Sequence, residues 1–245
     1  MWAGAAELIL QRVPGARLLM PDLRGLGASP VVSAADPPSI ATYADDLAHL
    51  LAEMDVKAPV VVCGLSMGGI IAFEFFRRHR ALVAALVLCD TRPEPESDSG
   101  RSLREQRAQS TERDGAAGVR AIAEAMIGSV CAPGVSAPTR DRVLALMVDH
   151  PPDGVAAASR ALAGRADSWP TLSTIDVPTL LIVGESDQIT SVELHRQMAA
   201  KIRGSRLTVI TGAGHIPPME APAAFASAVS DFLSSLQTGL TWRGT

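Results

Sequence analysis

Gly64-Leu65-Ser66-Met67-Gly68 fits G-x-S-x-G, a spacing that places a serine on a sharp strand-to-helix turn with its hydroxyl held clear of the backbone. Serine is a weak nucleophile until a base takes its proton, and histidine is the side chain that titrates near neutrality. His215 follows the run Gly212-Ala213-Gly214, and Asp187 follows an apolar run ending at Gly184. An aspartate can hold an imidazole in the right tautomer and stabilise its charged form. The chemistry open to such a set is acyl transfer through the serine. Asp90 also ends an apolar run and competes for the acid's place, although the chain order serine, aspartate, histidine favours Asp187. Each residue has a structural use as well: a βα turn that happens to carry serine, a loop histidine bonded to backbone, a helix cap at Asp187. Glu185, His150 and His195 read as solvated or structural.

These residues need strands that end side by side. Val60-Val61-Val62-Cys63 is apolar throughout, as a buried parallel strand is, and Gly69 to Phe76 continues at helical length. Gly64 and Gly68 are expected to remove side chains where strand and helix would collide. Upstream, residues 3 to 12 read as a short helix stopped by Pro14-Gly15, and Ala16 to Met20 as a strand. Its loop holds Asp22 and Arg24, which pair with each other or fix the turn. Ile40, Tyr43, Leu47, Leu50, Leu51 and Met54 recur at three- and four-residue intervals. That spacing predicts an amphipathic helix from Ser39, its N-cap, to Met54, with Asp45, Asp46 and Glu53 on a solvated face. Ala84 to Cys89 is another buried strand.

From Arg92 the character changes. Residues 93 to 115 mix prolines with Glu, Arg, Ser and Asp, while 119–130, 140–148 and 155–162 read as short helices. Strands resume at Pro178 to Gly184 and Leu207 to Ile210, with helices over 192–202 and around Phe225 to Leu233, and 238–245 reads as a loose tail. The alternation predicts an α/β fold: a mostly parallel sheet covered by helices, its core formed by 1–93 and 171–245. The helical insertion, 94–170, has a length that suits a lid over the strand ends. Ligands of such sheets bind beyond the carboxyl ends of the strands, where Ser66, Asp187 and His215 all fall.

A chain of 245 residues can bury one such core with an insertion. The net charge of -4 offers no basic face for phosphate backbones, so nucleic acid is not an expected partner. No apolar run is long enough to span a bilayer, and the N-terminus lacks the basic start and cleavage site of an export signal. Cys63, Cys89 and Cys131 show no C-x-x-C spacing, and the first two sit in strand-like runs where cysteine behaves as a small buried hydrophobe. A reduced, cytoplasmic setting is the expectation.

Four segments together resemble the α/β-hydrolase superfamily over nearly the whole chain: D-x-R-G-x-G-x-S at 22–29, GLSMGG at 64–69, VPTLLIVGESD at 177–187 and GAGHIPPMEAP at 212–222. In detail they are similar to the branch holding 3-oxoadipate enol-lactonases, small carboxylesterases and cofactor-free haloperoxidases. By that resemblance Ser66 is the nucleophile, Asp187 the acid and His215 the base, and Met67 offers its backbone N–H to an oxyanion. Leu65, Trp169 and Ile216 are the candidates for lining the pocket, with Met126 under the insertion. The resemblance implies hydrolysis of a small ester, lactone or related acyl bond, with neither cofactor nor metal. C–C bond hydrolysis, perhydrolysis and non-catalytic small-molecule binding are the alternatives.

One feature departs from the family. Its members carry further strands ahead of the one expected at 16–20, the last of which ends in a His-Gly loop that supplies a second oxyanion donor. Met1-Trp2 corresponds to the point just after that loop. The resemblance therefore implies unpaired edges in the middle of the sheet and a weakened hydrolase.

Overall fold

The computed structural model describes residues 1–30 and 37–237, so the tail expected at 238–245 lies outside the described residues. In chain order the elements are α1 (Ala3–Arg12), α2 (Ile40–Glu53), β1 (Val60–Leu65), α3 (Met67–Arg78), β2 (Val83–Cys89), α4 (Asp98–Asp114), α5 (Ala116–Val130), α6 (Ala137–Val148) and α7 (Pro152–Ala163). They continue with α8 (Trp169–Leu172), β3 (Thr179–Gly184), α9 (Val192–Lys201), β4 (Arg206–Ile210), α10 (Pro217–Glu220) and α11 (Pro222–Gln237). The strands lie in the order β1-β2-β3-β4 and every pairing is parallel. Leu65 pairs with Cys89, Cys89 with Ile182, and Gly184 with Ile210, so the carboxyl ends of all four strands emerge along one edge.

Both faces of the sheet are covered. On one, Ile71, Phe73 and Phe75 of α3 pack with Tyr43 of α2, Leu86, Leu88, Leu181 and Met198 of α9. On the other, Ile9 of α1 and Phe225, Val229 and Phe232 of α11 pack on Ala85, Val87, Leu180 and Ile182. The amphipathic stripe expected over 39–54 forms α2, and Ser39 caps it by a reciprocal pair of hydrogen bonds with Thr42. Asp45 and Asp46 are not merely solvated. Asp46 forms an ion pair with Arg24, while Asp45 bonds Arg78 and His79, which fastens α2 to the end of α3. Arg24 thus pairs with Asp46 rather than with Asp22, whose carboxylate instead accepts the Ala28 N–H and holds the 22–30 turn.

The strand expected at Ala16 to Met20 does not form. A strand needs a ladder neighbour, and among the described residues β1 pairs only with β2. The segment still alternates: Ala16 and Leu18 pack on the α1–α11 face, Leu19 on the α2–α3 face. With β1 as an edge, Val60 to Val62 are only half-buried and Cys63 is exposed, against the expectation that it is buried. By contrast Cys89, in β2, is fully buried.

Between β2 and β3 the chain makes only helices, α4 to α8. α4 was hidden in the mixed polar stretch after Arg92. Ser97 caps it, and Arg160 of α7 reaches Glu105 and Glu112 on its flank. At the root of this insertion Arg165 is buried against Glu96, which also pairs with Arg104.

Candidate active site

Ser66 joins β1 to α3 with φ 55 and ψ -114, backbone angles that a non-glycine residue adopts only under strain. The turn is overdetermined. Ser66 N–H donates to the Cys89 carbonyl at 2.9 Å, and the Ser66 carbonyl accepts from the Thr91 hydroxyl at 2.7 Å and the Gly69 N–H at 3.0 Å. A Cβ at Gly64 would run into the Gly68 backbone, and one at Gly69 into the Thr91 side chain. Gly68, expected to relieve a collision of its own, has no atom within 4 Å of where its Cβ would stand. Although Ser66 precedes the first helical residue, its hydroxyl does not cap α3.

That hydroxyl points to His215. His215 Nε2 lies 2.9 Å from Ser66 Oγ, and His215 Nδ1 lies 2.9 Å from Asp187 Oδ2. With the Nδ1 proton donated to Asp187, Nε2 accepts the serine proton. Asp187 is held in turn: its Oδ1 accepts the N–H groups of Ile189 (2.8 Å) and Thr190 (3.1 Å), and its Oδ2 the Thr190 hydroxyl. Burial works to raise the Asp187 carboxyl, but the hydrogen bond and charge of His215, with the Thr190 and Ile189 donors, hold it at about 2.

The His215 loop is tied to the insertion. His215 N–H donates to the Val130 carbonyl, at the end of α5, at 2.8 Å. Glu220 then clamps the junction, its carboxylate accepting the N–H groups of Gly214 (3.0 Å), Ile216 (3.0 Å) and Ala132 (2.7 Å). Sequence reasoning singled out neither Glu220 nor Thr190. The signal for Glu220 is its place in the run Pro217-Pro218-Met219-Glu220, which begins two positions after the histidine.

Met67 opens α3, so its N–H belongs to a first turn whose donors have no acceptor inside the helix. Ile216 packs with Ile127, Val130, Met126 and Met147 of the insertion. Leu65 is buried in the α1–α11 core. Trp169 packs on the opposite core face, and its neighbours Ser168 and Thr171 are bound by Arg77 in the last turn of α3, whereas Ser66 precedes the first. Among the expected lining residues, only Ile216 adjoins the serine–histidine pair in the chain and packs against the insertion. His195 is structural: buried, its Nε2 accepts the Thr91 N–H and its Nδ1 donates to the Ser191 carbonyl. His150 and Glu185 make loop contacts, with Gly27 and Gly212 respectively.

Residues 1–228 match the model of the alpha/beta hydrolase family. The chain belongs to that family. Its sheet and flanking helices are the α/β-hydrolase fold, and a thermophilic esterase from Thermogutta terrifontis superposes with a TM-score of 0.91 at 36% identity, covering 96% of this chain and 85% of that one. Among curated relatives, a pimeloyl-[acyl-carrier protein] methyl ester esterase of Neisseria meningitidis is 30% identical over 86% of this chain and 80% of its own length. A 3-oxoadipate enol-lactonase of Acinetobacter baylyi is 26% identical over 90% and 80%. The protein is a hydrolase, with ester-cleaving homologues that act on small molecules. Among the described residues no helix is long and apolar enough to cross a membrane.

Proposed function

We propose that the protein hydrolyses a small carboxylic ester or lactone through a Ser66 acyl-enzyme. The observation that carries this reading is the unbroken chain Ser66 Oγ–His215–Asp187, with 2.9 Å at each link. Ser66 Oγ attacks the acyl carbon as His215 Nε2 takes its proton, and Asp187 stabilises the imidazolium that results. The Met67 N–H donates to the oxyanion. His215 then gives the proton to the leaving alcohol, and a water deprotonated by His215 releases the acid and frees the serine. Residues 94–170 act as the lid, and the aliphatic groups beside the base, Ile216, Met219 and Met126, favour a substrate with an apolar acyl or alcohol part. The three unpaired cysteines fit a cytoplasmic setting.

Hydrolysis of p-nitrophenyl acetate and labelling by a fluorophosphonate test the reading together. Turnover and labelling that both vanish in Ser66→Ala support it. A folded protein that takes up no label is a binder rather than a serine hydrolase.

A further inference from the structure

Asp90 stands directly behind the catalytic chain and the acyl-transfer steps do not use it. It follows β2 with φ 42, a left-handed turn that is costly for a non-glycine residue, and its side chain is completely buried. One oxygen, Oδ1, accepts the Gly184 N–H at 2.8 Å. The other, Oδ2, is buried without a hydrogen-bond partner. Ligand atoms of Asp90, Asp187 and His215 all lie within 4.8 Å of one another.

Two carboxylates enclosed so closely cannot both carry charge. Their surroundings decide which one ionises. Asp187 receives donors from His215, Ile189 and Thr190, whereas Asp90 has the single Gly184 N–H. The charge therefore belongs on Asp187 and the proton on Asp90. A proton at Oδ2 also turns an orphaned acceptor into a donor with an anion beside it.

We infer that Asp90 is kept as a neutral carboxylic acid whose Oδ2–H donates to the Asp187 carboxylate, making it a positioning residue that fixes the acid behind His215. The groups facing it agree. Burial pushes its carboxyl well up, against the pull of the Gly184 N–H, and the negative charges of Asp187 and Glu220 push the same way. Cys89, its neighbour in β2, has its own thiol pushed up by burial. His195, behind Thr91, is neutral because its Nε2 accepts the Thr91 N–H, which leaves His215 as the single group among these able to carry positive charge.

The inference rests on the Ser66–His215–Asp187 reading for its catalytic consequence, and the test separates the two. Infrared difference spectra of the whole protein at neutral pH should show the carbonyl stretch of a protonated carboxylic acid, absent from Asp90→Asn. A spectrum without that band, or a band unchanged in Asp90→Asn, overturns the inference whatever the activity. In kinetics, Asp90→Ala should lose about 10- to 100-fold in kcat, the worth of a hydrogen bond to a charged group. Asp90→Asn, whose amide accepts from Gly184 and donates to Asp187 at every pH, should rescue that loss and abolish the alkaline fall in kcat that ionisation of Asp90 causes in the native protein. An Asn variant as impaired as the Ala variant at neutral pH overturns the positioning role. Failure of the folded native protein to react with a fluorophosphonate defeats the hydrolase reading and leaves the infrared result standing.

Discussion

In the proposed reaction Ser66, His215 and Asp187 do unequal work, and variants should separate them. Asp187→Asn keeps the shape of the site but lets the imidazole settle in the wrong tautomer, so kcat should fall by about 10,000-fold with KM little changed. Steady-state kinetics on p-nitrophenyl acetate checks this, and a smaller loss than from Asp90→Ala would show the acid to be misassigned. The same carboxylate links folding to pH. Its value is depressed from 3.8 to about 2, so the unfolded chain binds the proton more tightly. The stability contributed by Asp187 is complete above about 4 and is lost as pH falls through about 2. Urea midpoints measured down that range should fall in the native protein, and less steeply in Asp187→Asn. The convergence of these three side chains was legible because each has a local signature: a turn pattern, or the end of an apolar run. The protonation of Asp90 was not, since it depends on two loops, 97 residues apart, converging on one spot.

At the level of elements, the His215 loop and the end of α5 are held as one unit by Glu220. Its carboxylate takes three N–H groups, two flanking His215 and one from the insertion. Glu220→Gln puts an amide N–H₂ against at least one of those donors. The loss of a charge-assisted bond and the clash of like groups should lower kcat by about tenfold or more, with the secondary structure retained in circular dichroism. The 3.6-residue and apolar-run signals found β1 to β4, α2, α3 and α5 to α7. They passed over α4, whose partners Arg160 and Glu96 lie outside it and whose own face is mostly polar. They also proposed a strand at 16–20. Residue pattern fixes which face a side chain seeks, and Leu18 and Leu19 obey it, but pattern cannot supply a neighbouring ladder.

Across the whole molecule, the insertion and the sheet are fastened at the two points where the chain passes between them. Arg165, just after α7, is buried and bonds both Glu96 and the Glu94 carbonyl, just before α4. Arg165→Met leaves the Glu96 carboxylate, held at about 2 by Arg165 and Arg104 against its burial, with a single partner. Removing one member of a buried pair costs about 3 kcal/mol, and urea denaturation should show it as a lower midpoint at an unchanged slope. At one edge of the sheet, β1 carries four apolar residues in a row and no ladder partner on its outer side among the described residues. Such an edge is a template on which a second copy can add its own strand. Cys63, the one exposed cysteine, sits on it. In concentrated, oxidising solution the protein should therefore accumulate a disulfide-linked dimer, visible on a non-reducing gel and absent in Cys63→Ser, so that its shelf life is set by a residue far in character from the proposed catalytic groups though only three positions before Ser66.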